Sequence, residues 1–344
     1  MNFTIIGAGA IGGVVGAYLA KAGEDVTFVD VNEEHVRAMD EQGLTIETVE
    51  SEFNVPVKAY TVDELLQREK CLDVVILAVK AQHTEQAVQN FKPLMTEDTV
   101  IISMQNGLTE EVIAEQVGSH RTIGSFVNLF ADYQEPGLIQ YGGVGSMYIG
   151  ELNGEKTFRI TEIQNRLKSW GNAQITDHIR GYLWSKLAYG AILTATATVD
   201  EKMADIIDPH DHRVMFVELA SEVLRVAQQL NIEPKPFDNW EPKTVYPGHE
   251  QRDWSAIHEQ FDQLVARLRT YKKVKSGIWR DIAVRKRKTE VPFHLTPVIE
   301  EGKRHNLDMS LTETVLEMIM ELENNQREMS WKNIETLIAI SQKK

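Results

Sequence analysis

Lys186 stands inside a segment that otherwise has the pattern of an apolar helix, GYLWSKLAYGAILTATA at 181–197. At 3.6 residues per turn the large side chains of this segment form one apolar face. Steps of four from the lysine reach Gly190 and Thr194, which places small residues above a single ammonium group. Such an ammonium can stabilise the charge that develops on a carbonyl oxygen and then donate a proton to it. We predict this role for Lys186 and expect burial to lower its pKa; the alternative is a lysine that reaches water or a structural ion pair.

The sequence GAGAIG occupies residues 7–12, directly after a strand-like run and directly before a helical pattern. In this context GxGxxG is typical of a dinucleotide-binding turn, in which the glycines allow a tight turn, approach of a pyrophosphate and close helix packing. Unpaired N–H groups at the following helix N-terminus favour the phosphates. We expect the whole turn to bind the cofactor: Gly7, Ala8, Gly9, Ala10, Ile11 and Gly12. The alternative is a turn that begins a helix and binds nothing.

Asp30 ends the second strand-like run, 18 residues after Gly12. An acid at this place can bond a ribose 2′-hydroxyl and repel a 2′-phosphate. The next basic residue is Arg37. The sequence therefore favours NAD(H) as the cofactor and leaves NADP(H) as the alternative; an acid that only caps a turn is the other interpretation of Asp30.

Polar side chains follow two further strand-like runs. Lys80 comes directly after VVILAV, and Gln105 and Asn106 come directly after IISM. In open α/β sheets, ligands bind outside the carboxyl ends of the strands. We therefore predict that Lys80 and Asn106 contact the cofactor and the substrate, although an exposed loop lysine and an Asn-Gly turn are the ordinary explanation for each one alone.

The first half of the chain alternates β-rich runs with helical patterns. The strand-like runs are FTIIG (3–7), DVTFVD (25–30), DVVILAV (73–79) and TVIISM (99–104). Amphipathic segments predict helices near 11–22, 33–42, 62–68 and 82–91. This alternation is typical of a doubly wound, mostly parallel sheet. Three later runs, RTIGSFVNLF, GLIQYGG and SMYIGE, predict an antiparallel extension of that sheet.

From about residue 156 the pattern becomes helical. The predicted helices are 157–169, 180–200, 212–230, 256–270, 276–288, 295–305, 311–323 and the closing SWKNIETLIAI. Residues 233–255, rich in Pro, Trp and charge, predict a long loop. We expect a dinucleotide-binding α/β domain at 1–172, followed at 173–344 by an all-helical domain that carries the catalytic and substrate-binding residues.

Composition excludes several classes of function. A net charge of −15 over 344 residues argues against nucleic acid or an anionic membrane surface as the main partner. One cysteine, Cys71, excludes an internal disulfide framework and suits a reducing compartment. No apolar run approaches a membrane span, and no signal-peptide pattern precedes the first strand, so we expect a cytoplasmic location. We expect no metal site, because His210 and His212 are too weakly patterned.

Taken together, the motifs GAGAIGG, LAVKAQ, QNG, PG.I.YGG, LWSKLAYGAILTA and RDIAVRKRKTEV resemble the ketopantoate reductase family in type and order, over nearly the whole chain. The resemblance implies a Rossmann domain and a helical domain like that of 6-phosphogluconate dehydrogenase. It also implies reduction of a 2-oxo acid to a D-2-hydroxy acid with a nicotinamide cofactor. By similarity Lys186 is the catalytic lysine, Glu290 supports the substrate network, and Lys80 and Asn106 border cofactor and substrate.

The chain departs from the pantoate-forming members near the substrate. Those members have asparagines where this chain has Gly190 and Thr194, and their substrate serine aligns with Gly277, beside Ser276. A site with fewer hydrogen-bond donors discriminates less strongly in favour of a hydroxylated ligand. We expect Gly190, Thr194 and Ser276 to border the substrate together with Lys80, Asn106, Lys186 and Glu290. The departures favour an NADH-preferring reductase of a 2-oxo acid other than ketopantoate.

Other interpretations stay open. One is an NADPH-dependent 2-dehydropantoate 2-reductase, another a non-catalytic nicotinamide-binding sensor, and a third an opine-type dehydrogenase that reduces an imine. The expected partner is a small-molecule substrate, and a homodimer is compatible with the sequence. The segment 271–288 holds eight Lys or Arg against one Asp. It is either a solvated helix face or a surface that attracts a carboxylate, with Arg280 and Arg285 as candidate contacts.

Overall fold

The computed structural model describes residues 1–68, 71–143, 145–246, 252–271 and 274–344. They divide into two compact units, Met1–Ile179 and Arg180–Lys344. The first is an α/β unit and the second is helical, which confirms the predicted fold class. The boundary lies after Ile179 instead of after residue 172, because Ala173–Ile175 forms a strand that pairs within the first unit.

The described residues of the first unit form two sheets. The strands are β1 (Asn2–Ile6), β2 (Asp25–Val29), β3 (Leu44–Glu47), β4 (Glu52–Val55), β5 (Lys58–Tyr60), β6 (Leu72–Leu77), β7 (Met95–Ser103), β8 (Thr122–Val127), β9 (Ala131–Glu135), β10 (Leu138–Tyr141), β11 (Met147–Glu151) and β12 (Ala173–Ile175). The main sheet has the order β12-β11-β8-β7-β6-β1-β2-β5, and the second sheet has the order β4-β3-β10-β9. Neighbours in the main sheet are parallel except β8 and β11.

The strand order of the main sheet reverses next to β1. Its two neighbours are β2 and β6, and β7 follows β6 on the side away from β2. In a doubly wound sheet, ligands bind where the order reverses, outside the carboxyl ends of the strands. The glycine-rich turn follows β1, and three polar residues follow the next strands: Asp30 after β2, Lys80 after β6 and Asn106 after β7. All four sites therefore lie at the carboxyl ends of the strands.

Glycines let the first helix pack against both sheets. The helices of the first unit are α1 (Ala10–Lys21), α2 (Glu33–Gln42), α3 (Val62–Leu66), α4 (Thr84–Phe91), α5 (Thr109–Val117) and α6 (Phe158–Leu167). A Cβ on Gly16 would lie 2.5 Å from the ring of Phe28 in β2, and one on Gly13 would lie 2.1 Å from Ile139 in β10. Because α1 is covered on both sides, seven of its twelve residues are buried, and Lys21 alone is exposed.

The second sheet corrects the sequence-based prediction for GLIQYGG. This run forms β10, which pairs with β3 and β9 and not with the main sheet. Its placement follows from α1, since the face of α1 turned away from the main sheet is also apolar and must be covered. The short strands β3, β4, β5 and β9 were not predicted; with charged and polar residues at exposed positions, their β-signal is weak.

The described part of the second unit is helical. Its helices are α7 (Ile179–Thr196), which begins at the unit boundary, α8 (Met203–Ile207), α9 (His210–Gln229), α10 (Pro242–Val245), α11 (Trp254–Thr270), α12 (Gly277–Ala283), α13 (Val291–Arg304), α14 (Ser310–Glu323) and α15 (Trp331–Ser341). The predicted loop 233–255 contains the short α10 and the first turn of α11, and its residues 247–251 lie outside the described residues. No helix in the described ranges is long and apolar enough to cross a bilayer.

The helix predicted at 276–288 is wrong beyond Ala283. There α12 ends, and Lys286 has φ 50°, which a helix cannot contain. The basic side chains of Arg285 and Arg287 turn back to Asp281, with N–O distances of 3.2 and 2.9 Å. Arg285, a candidate substrate contact from the sequence, is therefore paired within its own segment. Lys272 and Lys273 of this basic run lie outside the described residues.

A buried carboxylate joins three parts of the second unit. Glu222 of α9 accepts hydrogen bonds from the backbone N–H groups of Leu311 and Thr312 at 3.0 and 2.8 Å, at the start of α14. The Lys344 ammonium forms an ion pair with Glu222 and lies 2.9 Å from Asp308. Desolvation alone would raise the pKa of Asp308. The hydrogen bonds that its carboxylate accepts from Lys344 and Ser310 outweigh this effect and lower the pKa to about 2.

We predict that Lys344→Met destabilises the second unit, because Glu222 would remain buried without its cation. Removal of one partner of a buried ion pair costs about 3–5 kcal/mol. Urea unfolding measures the change, with Lys343→Met as the control, since the Lys343 side chain is exposed. Equal unfolding midpoints for the two variants would contradict the prediction.

Candidate active site

The glycine-rich turn leaves open space at the start of α1. Gly7 has φ +93°, and a Cβ there would lie 2.8 Å from the backbone of Ala78. A Cβ on Gly12 would lie 2.2 Å from the carbonyl oxygen of Gly7, so α1 begins close against the turn. Gly9, by contrast, has nothing within 4 Å of a Cβ and precedes α1 without a side-chain cap. The unpaired N–H groups and the space beside Gly9 fit the pyrophosphate of a dinucleotide.

Asp30 is held beside this turn by two backbone hydrogen bonds. Its Oδ2 accepts from the N–H of Ala8 at 2.8 Å, and its Oδ1 accepts from the N–H of Asn32 at 2.9 Å. Each carboxylate oxygen has a further lone pair, so the fixed side chain can still accept bonds from the hydroxyls of a ribose. A 2′-phosphate in the same place would meet the negative charge of the carboxylate.

His35 also holds the glycine-rich turn, and the sequence did not predict it. Its Nε2 lies 2.9 Å from the carbonyl oxygen of Ala8, and its Nδ1 accepts a hydrogen bond from the N–H of Gly137 at 2.9 Å. The neutral tautomer with its proton on Nε2 satisfies both contacts. The ring is 1% exposed and packs edge-on against Tyr133. His35 thus joins the turn to the strand connection of the second sheet.

Gln105 connects the ends of β6 and β7. Its side-chain nitrogen donates to the carbonyl oxygen of Val79 at 2.9 Å and lies 2.8 Å from Oγ1 of Thr84. Lys80, half-buried, directly follows Val79, and Asn106, exposed, directly follows Gln105. The two residues that the sequence singled out therefore lie on adjacent strand ends that one buried amide holds together.

A second residue that the sequence missed is Glu110, in the first turn of α5. It is 2% exposed, and neither carboxyl oxygen has a hydrogen-bond partner within the described residues. Burial raises the pKa of this carboxyl to about 8, which the nearby Ser103 hydroxyl and Ser125 backbone oppose only in part. Glu110 is thus a neutral acid at pH 7, four residues after Asn106.

Lys186 lies on the one open stripe of a buried helix. From Gly181 to Thr196 every residue of α7 is buried except five, which are Tyr182, Lys186, Tyr189, Gly190 and Leu193. Their spacing places them in a single row along the helix. A Cβ on Gly190 would meet nothing within 4 Å, so the space one turn above Lys186 is open. The structure therefore places a half-buried lysine one turn below a position at which an added methyl group would meet no neighbouring atom.

The other proposed substrate residues of the second unit differ in what they can offer. The hydroxyl of Thr194 is buried and donates to the carbonyl oxygen of Gly190 at 2.8 Å. Ser276 caps α12, where its Oγ accepts from the N–H of Trp279 at 3.2 Å and keeps a proton to donate. Glu290, just before α13, has a half-buried side chain 4.0 Å from Nε2 of His294.

Residues of the segment 235–270 flank the open stripe. The ring of Tyr189 packs against Phe237 and Trp240, with 5.7 Å between the ring centres in both pairs. Nη2 of Arg267 donates to the Tyr189 hydroxyl at 3.3 Å. Burial raises the pKa of this hydroxyl, and Arg267 opposes the rise. The segment, whose role the sequence left open, thus forms an aromatic and basic side of the stripe.

No group of three or more His, Cys, Asp or Glu side chains within the described ranges is placed to hold a metal ion. His210 is stacked on His258, with ring centres 4.3 Å apart, and His212 contacts the carbonyl oxygen of Ile206 at 2.8 Å. These two histidines therefore have packing and backbone contacts that explain them without a metal.

Comparison with known protein families shows which family this chain belongs to. The profile of "Ketopantoate reductase PanE/ApbA" matches residues 3–154, and that of "Ketopantoate reductase PanE/ApbA C terminal" matches residues 178–323. The chain belongs to the ketopantoate reductase family. The resemblance found in the motifs is thereby confirmed, and with it the expectation of an NAD(P)-dependent oxidoreductase acting on CH–OH groups.

Its relatives in this family include two curated 2-dehydropantoate 2-reductases. That of Pyrococcus horikoshii is 27% identical over 313 residues, which cover 90% of this chain and 94% of the relative. That of Mesorhizobium japonicum is 31% identical over 258 residues, covering 67% and 77%. Among solved structures, the ternary complex of D-mandelate dehydrogenase with NADH and anilino(oxo)acetate has a TM-score of 0.80 at 22% identity, over 95% of this chain and 99% of that one. This last similarity shows a shared fold.

We predict that Glu110 makes stability depend on pH. The folded protein keeps this proton up to about pH 8, whereas the unfolded chain releases it near 4.5, so the free energy of unfolding falls as pH rises between these values. Glu110→Gln, which has the shape of the neutral acid, should remove this fall. Relative to the parent, the variant should gain up to about 3–5 kcal/mol above pH 8 and little below pH 5.

Chemical unfolding at several pH values tests this prediction, with Glu111→Gln as the control on the adjacent exposed carboxylate. A Glu110→Gln variant whose stability follows that of the parent at every pH would show that Glu110 is ionised in the folded protein.

Proposed function

We propose that the protein uses NADH to reduce a 2-oxo acid other than ketopantoate to a D-2-hydroxy acid. The observation that carries this proposal is the position of Lys186, half-buried on the open stripe of α7 below the space at Gly190. An ammonium in such a place suits reduction of a carbonyl group, since it can both bind the oxygen and give it a proton.

The residues along the edge of the main sheet hold the cofactor in this proposal. N–H groups of the glycine-rich turn bind the pyrophosphate, and Asp30 accepts bonds from the ribose hydroxyls. Lys80 and Asn106 border the nicotinamide ribose and the substrate. When bound, NADH supplies the hydride that reduces the carbonyl carbon. Asp30, fixed by two backbone bonds, supports NADH over NADPH because its charge disfavours a 2′-phosphate.

Lys186 completes the reduction as general acid. Its ammonium stabilises the negative charge that develops on the substrate oxygen and then transfers a proton from Nζ to that oxygen. Trp184 and Leu187, close to it in the sequence, are buried, and in a surrounding with little water an electrostatic interaction of the ammonium is stronger. Glu290 supports the network around the substrate as a half-buried carboxylate at the start of α13.

The substrate side chain is proposed to be apolar and branched or aromatic. Gly190 leaves space where the pantoate-forming members have an asparagine amide. The buried Thr194 hydroxyl donates its hydrogen bond to the carbonyl oxygen of Gly190. A hydroxylated substrate would therefore find few donors there, whereas an apolar one loses nothing. Tyr189, with Phe237 and Trp240 behind it, supports the same choice. The D-mandelate dehydrogenase of similar fold holds anilino(oxo)acetate.

The test is oxidation of NADH and NADPH with a panel of 2-oxo acids that includes ketopantoate and branched and aryl members. We expect the highest kcat/KM with NADH and an apolar acid. Lys186→Ala should lower kcat about 10²–10⁴-fold and leave NADH affinity unchanged, because the ammonium acts in the transition state. Lys202→Ala, on an exposed lysine, should behave as the parent.

Other outcomes would favour the alternatives. A preference for NADPH with ketopantoate would indicate a 2-dehydropantoate 2-reductase. Tight NADH binding without turnover of any acid would indicate a sensor, and turnover that requires an added amine would indicate reduction of an imine. Any of these three results contradicts the proposal.

We predict that Asp30→Ala weakens NADH selectivity. The variant loses a charged acceptor for the ribose, so KM for NADH should rise about 10–100-fold, while KM for NADPH should change much less. Steady-state kinetics with both cofactors measures the ratio. Asp25→Ala serves as the control, because Asp25 begins the same strand and pairs with Lys58 at 3.1 Å, far from the turn. An unchanged ratio would show that Asp30 does not contact the ribose.

A further inference from the structure

Arg267 is a guanidinium group whose own chain gives it little to bind. It is half-buried on α11, and its Nη2 donates to the neutral hydroxyl of Tyr189 at 3.3 Å. Its Nε is buried and has no hydrogen-bond partner in the described part of the chain. No carboxylate of the described residues forms an ion pair with it, although Arg269, two residues on, pairs with Asp208 at 2.7 Å.

Burial of the Arg267 Nε–H destabilises the folded protein unless a hydrogen-bond acceptor binds to the guanidinium group. A buried N–H without a partner loses its hydration and gains nothing in return. A guanidinium is always charged, and its planar fork of donors matches the two oxygens of a carboxylate or a phosphate. A surface arginine would be expected to find a local acid, as Arg285 and Arg287 do with Asp281. The chemistry of Arg267 therefore points to an anionic ligand from outside the chain.

The contact with Tyr189 places Arg267 at the open stripe. Tyr189 lies three residues after Lys186 and next to Gly190, so all three share one side of α7. Side chains three residues apart on a helix have Cβ atoms about 5–6 Å apart. Lys186 and the residue that Arg267 contacts, Tyr189, thus lie on the same side of α7. A 2-oxo acid has two adjacent groups that need such partners, a carbonyl oxygen and a carboxylate.

We propose that Arg267, positioned by Tyr189, binds the carboxylate of the 2-oxo acid while Lys186 binds its carbonyl oxygen. The assignment rests on the function proposed above and adds a specificity-determining residue to it. Two other candidates for this carboxylate are weaker, because residue 277 is a glycine without a hydroxyl and Arg285 pairs with Asp281. Arg280, the remaining candidate from the sequence, lies on α12. The segment that carries Arg267 then determines that the substrate is an acid.

A charged substrate and its neutral ester test the assignment. The enzyme is assayed with NADH and either a phenyl-substituted 2-oxo acid or the methyl ester of that acid. Arg267→Met should raise KM for the acid about 100-fold and leave kcat/KM for the ester within about threefold, because only the acid loses a charge-assisted bond. Arg267→Lys should recover part of the affinity for the acid. Arg269→Met, the matched control on the same helix, should change neither substrate.

A second variant covers the case in which Arg267→Met fails to fold. Tyr189→Phe keeps the ring packed against Phe237 and Trp240 and removes the hydroxyl that orients Arg267. It should raise KM for the acid about 3–10-fold and spare the ester. Equal losses on acid and ester in the variants that fold would overturn the assignment alone. A parent enzyme with no turnover of any 2-oxo acid would overturn the proposed function, and the assignment with it.

Discussion

Helix α1 lies against both sheets of the first unit, and the absence of side chains at Gly12, Gly13 and Gly16 is what makes this possible. A Cβ at any of the three would lie within 3 Å of a neighbouring atom. The close fit fixes the N-terminus of α1 beside the end of β1, and it leaves Gly9 as the one open place in the turn. The close packing of α1 against both sheets thus has two results: it fills the core, and it leaves space for a phosphate beside Gly9. The same fit explains why a second sheet is needed, because α1 presents apolar side chains on the side away from the main sheet.

In the second unit, a charged residue, Lys186, lies in the otherwise apolar helix α7. Between Gly181 and Thr196, α7 has one row of five partly exposed residues, and its other residues are buried. The row runs from Tyr182 to Leu193 and includes Lys186 and the space at Gly190. Its Tyr189 contacts residues of the segment 235–270. A rigid helix determines where the ammonium lies, and a later segment determines what lies beside it. Lys186 and the residues that flank its open stripe are therefore encoded in separate parts of the chain and can change independently.

Local spacing was enough to predict the parallel sheet, the helical second half, the glycine-rich turn and the place of Lys186 in an apolar helix, because each depends on residues within a few turns of one another. Three of the failures involve partners that are distant in the sequence. His35 contacts a residue 102 positions away, and Arg267 contacts one 78 positions away. The run that became β10 has the residue types of any strand, and only the apolar outer face of α1 decides which sheet it joins. The helix predicted through residue 288 ends early because Asp281 attracts the basic side chains that follow it.

Asp30 joins two properties that are usually treated as separate. Its carboxylate accepts a hydrogen bond from the N–H of Ala8 within the glycine-rich turn, and in the proposed function it also binds the ribose of the cofactor. A substitution of Asp30 that widens the proposed choice of cofactor also removes the acceptor of the Ala8 N–H from the turn proposed to bind the pyrophosphate. Evolution or engineering from one nicotinamide cofactor to the other would thus pass through an intermediate that binds both weakly. A direct route requires that a second substitution gives Ala8 a new partner before Asp30 is lost.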